Sequence, residues 1–65
     1  MKLKWGDVTE IAIALAEAHP DADPRSLRFV DLHNWVVDLP EFDDDHKRGG
    51  EKVLEAIQAA WIEEM

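Results

Sequence analysis

The chain has 65 residues, of which fifteen are acidic, seven are lysine or arginine and none is cysteine, so its formal net charge is −8. This length allows one domain, residues 1–65, and the lack of cysteine excludes disulfides and thiolate metal sites. The negative charge disfavours nucleic acid and anionic membranes as partners and favours cations or basic proteins. An apolar fraction of 46% excludes a disordered acidic tail and predicts a folded acidic domain, which we expect to be a monomer.

No apolar run approaches the roughly 20 residues that a membrane-spanning helix needs. The first residues, MKLKWGD, also lack the apolar stretch of a secretion signal. We therefore expect a cytoplasmic protein that does not bind membranes.

The first predicted helix starts after Asp7, which forms a D-x-x-E capping pattern with Glu10. Its apolar residues recur at helical spacing: Val8, Ile11, Leu15 and Ala18. Pro20 ends the helix near residue 18 or 19. Trp5, just before the cap, is placed to fold over this apolar stripe.

The segment RFVDLHNWVVDLP is ambiguous, because its β-branched and aromatic residues also suit a strand. The spacing favours a helix, since apolar residues follow steps of three and four: Phe29, Leu32, Val36 and Leu39. Asp23 before Pro24 predicts a helical turn at residues 24–27. The helix itself is predicted over residues 31–39.

Residues 40–50, here called the acidic loop, end at Gly49 and Gly50, and a last helix is predicted over residues 51–64. These elements predict a mainly α fold, a small helical domain. Its predicted core includes Leu15, Leu32, Trp35, Leu54, Ile57 and Trp61.

A short turn followed by a helix resembles a helix-turn-helix layout, but the polar residues of the second helix do not suit DNA. They include Asp31 and Asp38, whose carboxylates would repel phosphates. Catalysis has little support either, because no nucleophile has an evident base and a domain this small has little room for a closed pocket. We expect neither DNA binding nor enzyme activity.

The run DDDH, residues 43–46, supplies carboxylates and an imidazole, ligands that suit Fe²⁺, Mn²⁺ or Mg²⁺. It lacks the spacing of a calcium loop or a zinc helix, and a solvated loop is the simpler interpretation. Two nearby residues leave alternatives open. His33 is either a hydrogen-bonded structural residue or an exposed one beside the acidic loop. Phe42 either pins the loop to the core or offers an apolar anchor to a partner.

Three segments together cover nearly the whole chain: LKWGDVTEIAIALAEAHPDADP, RFVDLHNWVVDLPEFDDD and EKVLEAIQAAWIEE. In these segments the sequence resembles the small acidic IscX family of bacterial iron–sulfur cluster assembly. The resemblance implies a winged-helix-like, essentially helical fold. It also implies an adaptor or regulator that binds the pathway's cysteine desulfurase, at a basic surface for which frataxin and ferredoxin compete. Weak binding of ferrous iron, for donation or sensing, is implied as well.

The implied partner-binding face comprises Asp31, His33, Asp38, Glu41, Asp43, Asp44, Asp45, Glu51 and Glu55. The implied iron ligands are the carboxylates of Asp38, Glu41, Asp43, Asp44 and Asp45. The sequence departs from the family after these aspartates, where HKRGG replaces the usual proline and serine–asparagine cap. Lys47 and Arg48 therefore partly screen the aspartates, and Gly50 is a weaker helix cap than asparagine. Val30 also replaces a threonine often found in the family, which leaves Asp31 as the predicted cap of the second helix.

Two other functions remain open. A nucleic-acid mimic would block a DNA-binding protein with charges spaced along an extended line, whereas a desulfurase-binding protein needs a compact acidic patch. A metal-buffering protein would require tighter binding than the acidic loop offers.

Overall fold

The computed structural model describes residues 2–64. They form three α-helices in the predicted order: α1, Val8–Ala18; α2, Phe29–Val37; and α3, Glu51–Glu63. α1 packs chiefly against α3, and α2 contacts both. The prediction of a small, mainly helical domain is confirmed. Its winged-helix-like detail is not confirmed, because β structure within residues 2–64 is limited to one bridge between Leu3 and Phe42.

A single hydrophobic core lies between the helices. Its buried residues are Leu3, Trp5, Ile11, Ala12, Leu15, Leu32, Val36, Leu39, Leu54, Ile57 and Trp61. The predicted core residues are all among them except Trp35, which is half-buried at the edge of the core. Its ring stacks on His19, just beyond the end of α1. Trp35 therefore packs against the core and is also partly exposed at the surface.

α1 begins after Asp7 and ends at Ala18, as predicted, but the predicted capping box does not form. The Asp7 carboxylate instead accepts the backbone N–H of Lys4 (2.9 Å), and the Asp7 N–H donates to the carbonyl of Lys4 (2.9 Å). Aspartate favours such local backbone bonds, so this turn competes with the cap for the same carboxylate.

α2 begins at Phe29, two residues before the predicted start, so Asp31 is not its cap. Arg28 occupies the N-cap position, and the Asp31 carboxylate meets the Arg28 guanidinium (3.2 Å) from the first helical turn. A carboxylate is favourable there because the N-terminus of a helix carries partial positive charge. Residues 24–26 form a turn rather than the predicted helical segment.

The N-terminal segment, residues 2–6, runs beside the acidic loop. The backbone N–H of Leu3 donates to the carbonyl of Glu41 (2.7 Å), and the N–H of Asp43 donates to the carbonyl of Leu3 (2.8 Å). These two bonds join segments that lie far apart in the sequence. The loop continues in one 3-10 turn, His46–Arg48, before α3 begins.

Candidate functional site

Trp5 joins the acidic loop to the core. Its backbone N–H donates to Asp44 Oδ2 (3.0 Å), and its indole Nε1–H donates to the carbonyl of Asp45 (2.7 Å). Only 4% of the Trp5 surface is exposed. Because both of its N–H groups bond to the loop while its ring is buried, this residue holds the loop against the core.

The Trp5 ring is closely surrounded. His33 is stacked on it, with ring centroids 5.3 Å apart, and Phe42 meets it edge-on at 4.8 Å. Gly49 also lies against the ring: a Cβ at this position would stand 2.6 Å from two indole carbons. The loop can approach Trp5 this closely only because residue 49 has no side chain.

These contacts decide between the alternatives for His33 and Phe42. His33 is half-buried and its Nε2–H donates to the carbonyl of His46 (2.6 Å), so it is a structural residue that also lies beside the acidic loop. Phe42 is half-buried against Trp5 and pins the loop to the core.

The aspartates of the loop already have partners within the protein. Asp43 forms ion pairs with Lys2 (3.4 Å) and Lys4 (3.7 Å), the two basic residues of the N-terminal segment. Asp45 Oδ1 accepts the backbone N–H of Lys47 (3.0 Å) at the start of the 3-10 turn. These donors offset the repulsion between adjacent carboxylates, which explains how the run can be ordered.

Asp44 has the most constrained carboxylate of the run. The backbone N–H of Trp5 donates to it and lowers its pKa below the usual aspartate range, and the N–H of Asp45 (2.7 Å) lowers it further. Desolvation raises the pKa of Asp44, with a smaller effect than these two bonds, and the positive charges of Lys4 and Arg48 add still smaller effects that lower it. The bonds that hold the loop thus favour the ionised form of Asp44.

Asp44→Asn is expected to destabilise the protein at neutral pH and to have less effect in acid. Because the pKa of Asp44 is lower in the folded chain, its ionised form contributes stability above the unfolded pKa of about 3.9. That contribution is lost as pH falls through the folded value. The measurement is the thermal midpoint of parent and variant between pH 7 and pH 2.5.

Glu55→Gln is the matched control, since it removes an equal charge from an exposed position in the second turn of α3. In a chain of net charge −8, losing any one carboxylate also relieves self-repulsion, and this control measures that effect. A difference between parent and Asp44→Asn that stayed constant down to pH 2.5 would contradict the prediction.

The other residues of the predicted face are spread over the surface. Asp31 pairs with Arg28 at the start of α2, whereas Asp38 is exposed at its end. Glu41 is exposed in the loop, and Glu51 and Glu55 are exposed on the first turns of α3, directly after it. Within residues 2–64, no ion pair is formed by the carboxylates of Asp38, Glu41, Glu51 or Glu55.

The predicted iron ligands do not form a ready-made metal site. Among the residues described, 2–64, no three aspartate, glutamate or histidine side chains are grouped so that they could hold a metal ion. Asp43, Asp44 and Asp45 instead bind the donors named above. A ferrous ion at this surface would therefore meet few protein carboxylates at once and keep most of its water ligands.

Sequence analysis missed the part that Leu3 and Gly49 play in holding the loop. A signal for the first was present, because Leu3 and Trp5 alternate with two lysines in KLKW, a period-of-two pattern typical of extended chain. Gly49 offered no comparable signal. A side chain is excluded at residue 49 because the Trp5 ring lies against it, and the position of that ring is known only from the fold.

Comparison with known proteins identifies the family. A family model described as iron-sulphur cluster assembly matches residues 3–65. The chain belongs to this family. It is also 70% identical over 64 residues to the uncharacterized protein PA3808 of Pseudomonas aeruginosa, a match that covers 98% of this chain and 97% of the relative. The resemblance to the IscX family is thereby confirmed.

For this member of the iron–sulfur cluster assembly family, the helices of residues 2–64 are all too short or too polar to cross a membrane.

Proposed function

We propose that this protein is a non-catalytic acidic adaptor that regulates iron–sulfur cluster assembly by binding the cysteine desulfurase of the pathway. The observation that carries the proposal is the fixed acidic loop, in which Trp5 holds Asp44 and Asp45. A surface that is ordered before binding loses less conformational entropy on docking. Membership of the family supports the pathway.

Binding would be driven mainly by charge. Residues 6–46 contain eleven acids and two arginines, a net charge of −9. Exposed charge pairs contribute at most about 1 kcal/mol each, so the affinity depends on their sum and falls with salt. If the basic surface of the desulfurase also takes frataxin or ferredoxin, these proteins compete with this one for it.

The acidic run of the loop favours this function over nucleic-acid mimicry. A mimic needs charges in a long line, since duplex DNA carries one negative charge per about 1.7 Å of its axis. Here three aspartates are consecutive in a folded loop, on a body of 26 × 23 × 16 Å. This run is therefore a local concentration of charge in one loop rather than part of an extended row.

We expect the triple variant Glu41→Gln, Glu51→Gln and Glu55→Gln to bind the desulfurase about 1–3 kcal/mol more weakly, the sum of up to three exposed pairs. The three side chains are exposed in or next to the acidic loop. Asp44 and Asp45 are left unchanged because they hold the loop. Calorimetry with the purified desulfurase at two salt concentrations is the measurement.

A second triple variant, Glu10→Gln, Glu17→Gln and Glu63→Gln, has the same net charge but alters exposed acids of α1 and the end of α3. It should weaken binding less than the first variant. Equal losses would show that binding follows total charge and not this face. Full affinity of both variants at low salt would contradict a charge-driven contact altogether.

We also propose that the carboxylates of the face bind ferrous iron weakly, using Asp38, Glu41, Asp43, Asp44 and Asp45. Reversible binding of this kind is what donation or sensing of iron would require. Anaerobic titration with Fe²⁺ should move the amide signals of residues 38–46 at millimolar iron, and Mn²⁺ should displace it with modest selectivity. Shifts confined to another surface, or none, would remove the acidic loop from the site.

A further inference from the structure

An open groove lies beside the C-terminal ends of α1 and α2. Its volume is about 320 Å³, near the lower limit of small-molecule sites. The groove is lined by Ala18, His19, Trp35, Asp38, Leu39 and Pro40. It has room for one long side chain rather than for a large ligand.

The aromatic wall of the groove is already in place. The rings of His19 and Trp35 are stacked with centroids 3.9 Å apart and planes 13° from parallel. Trp35 is in turn held by Trp61, a buried residue whose ring centroid lies 6.1 Å away. Because these rings are fixed by packing, a guest would not have to order them on entry.

The charge of the groove is negative. Asp38, an exposed acidic residue, is among its lining residues, and the last turns of α1 and α2, which carry partial negative charge, contain no basic residue. None of the seven lysine and arginine residues of the chain lines it. An apolar groove with one carboxylate fits a guest that is apolar along its length and cationic at its end.

We propose that this groove binds a lysine or arginine side chain of a basic protein partner. The methylene stem lies along Trp35, Leu39 and Pro40, and the charged end meets the Asp38 carboxylate and the partial negative charge of the helix ends. Lysine and arginine combine such a stem with a charge, and cations are attracted to indole rings. The net charge of −8 supports a basic partner. The inference deepens the proposed function by naming the side chain that the acidic partner-binding surface accepts.

The test uses n-butylguanidinium, which reproduces the end of an arginine side chain, and its neutral analogue n-butylurea. Titrated into the isotope-labelled protein, n-butylguanidinium should move the amide signals of residues 18, 19, 35 and 38–40 and saturate at millimolar concentration. n-Butylurea should bind at least tenfold more weakly. Equal binding of the two probes, or shifts spread over all acidic side chains, would overturn the proposal.

Two single-charge variants complete the test. Asp38→Asn keeps the shape of the groove and should weaken n-butylguanidinium binding at least threefold, whereas Glu10→Gln, at the far end of α1, should leave it unchanged. Equal affinity of both variants would also overturn the proposal. Since no partner protein is present and the desulfurase variants retain Asp38, failure here is distinguishable from failure of the proposed function.

Discussion

Trp61→Ala is expected to lower the free energy of unfolding by about 3–5 kcal/mol. The side chain is 1% exposed and fills the core from α3. At about 0.05–0.15 kcal/mol per residue, a chain of 65 residues has a total stability of roughly 3–10 kcal/mol. The loss is therefore comparable with the whole stability, and urea unfolding followed by far-ultraviolet circular dichroism should show a largely unfolded variant.

Ile13→Ala is the control for this change. Ile13 lies on the outer side of α1 with 36% of its surface exposed, so its truncation leaves no internal cavity. Its effect should stay within about 1 kcal/mol. If the Trp61→Ala protein unfolded cooperatively within a few degrees of the parent, the assignment of Trp61 to the core would be wrong.

Trp5→Ala is expected to cost about 3–5 kcal/mol as well, with the loss beginning in the acidic loop. The substitution removes the buried ring, the bond from Nε1–H to Asp45, and the surface on which His33 and Phe42 pack. Amide hydrogen exchange should show that residues 41–48 lose protection at lower denaturant than α1 does. Simultaneous loss of both would contradict a separate role for Trp5 in holding the loop.

Gly49→Ala tests the same contact without deleting the indole. The added methyl would stand 2.6 Å from Trp5 and 2.8 Å from His33, so the ring or the loop must move, at a cost of about 1–3 kcal/mol. Gly6→Ala is the matched control, because a Cβ there meets nothing within 4 Å. Similar stabilities of the two variants would show that the close packing at residue 49 is not required.

The helices and most of the core could be predicted because both depend on local periodicity. Ile11 and Leu15 in α1, and Leu54 and Ile57 in α3, recur at helical spacing and are buried. Local capping was harder to predict. Asp7 bonds to Lys4 instead of capping α1, because several local partners compete for one carboxylate and sequence spacing does not rank them.

The candidate site could be predicted in composition but not in arrangement. The acidic run indicated a charged face, and the family supports a role in iron–sulfur cluster assembly. That Asp44 accepts the N–H of Trp5, and that Gly49 must lie against the same ring, depends on contacts between opposite parts of the chain. Neither residue type nor spacing carries this information.

The bridge between Leu3 and Phe42 has a consequence for the order of folding. Closing a loop of that length costs about 3 kcal/mol in chain entropy before any contact across it contributes stability. Contacts of high sequence separation therefore form slowly, while α1 and α3 can begin from neighbouring residues. We expect the acidic loop to be among the last parts of the surface to form. A partly folded chain then carries the same charges as the native protein, but the acidic loop does not yet hold them in their native positions. A partner that binds only the native arrangement of these charges therefore distinguishes the folded protein from its partly folded forms.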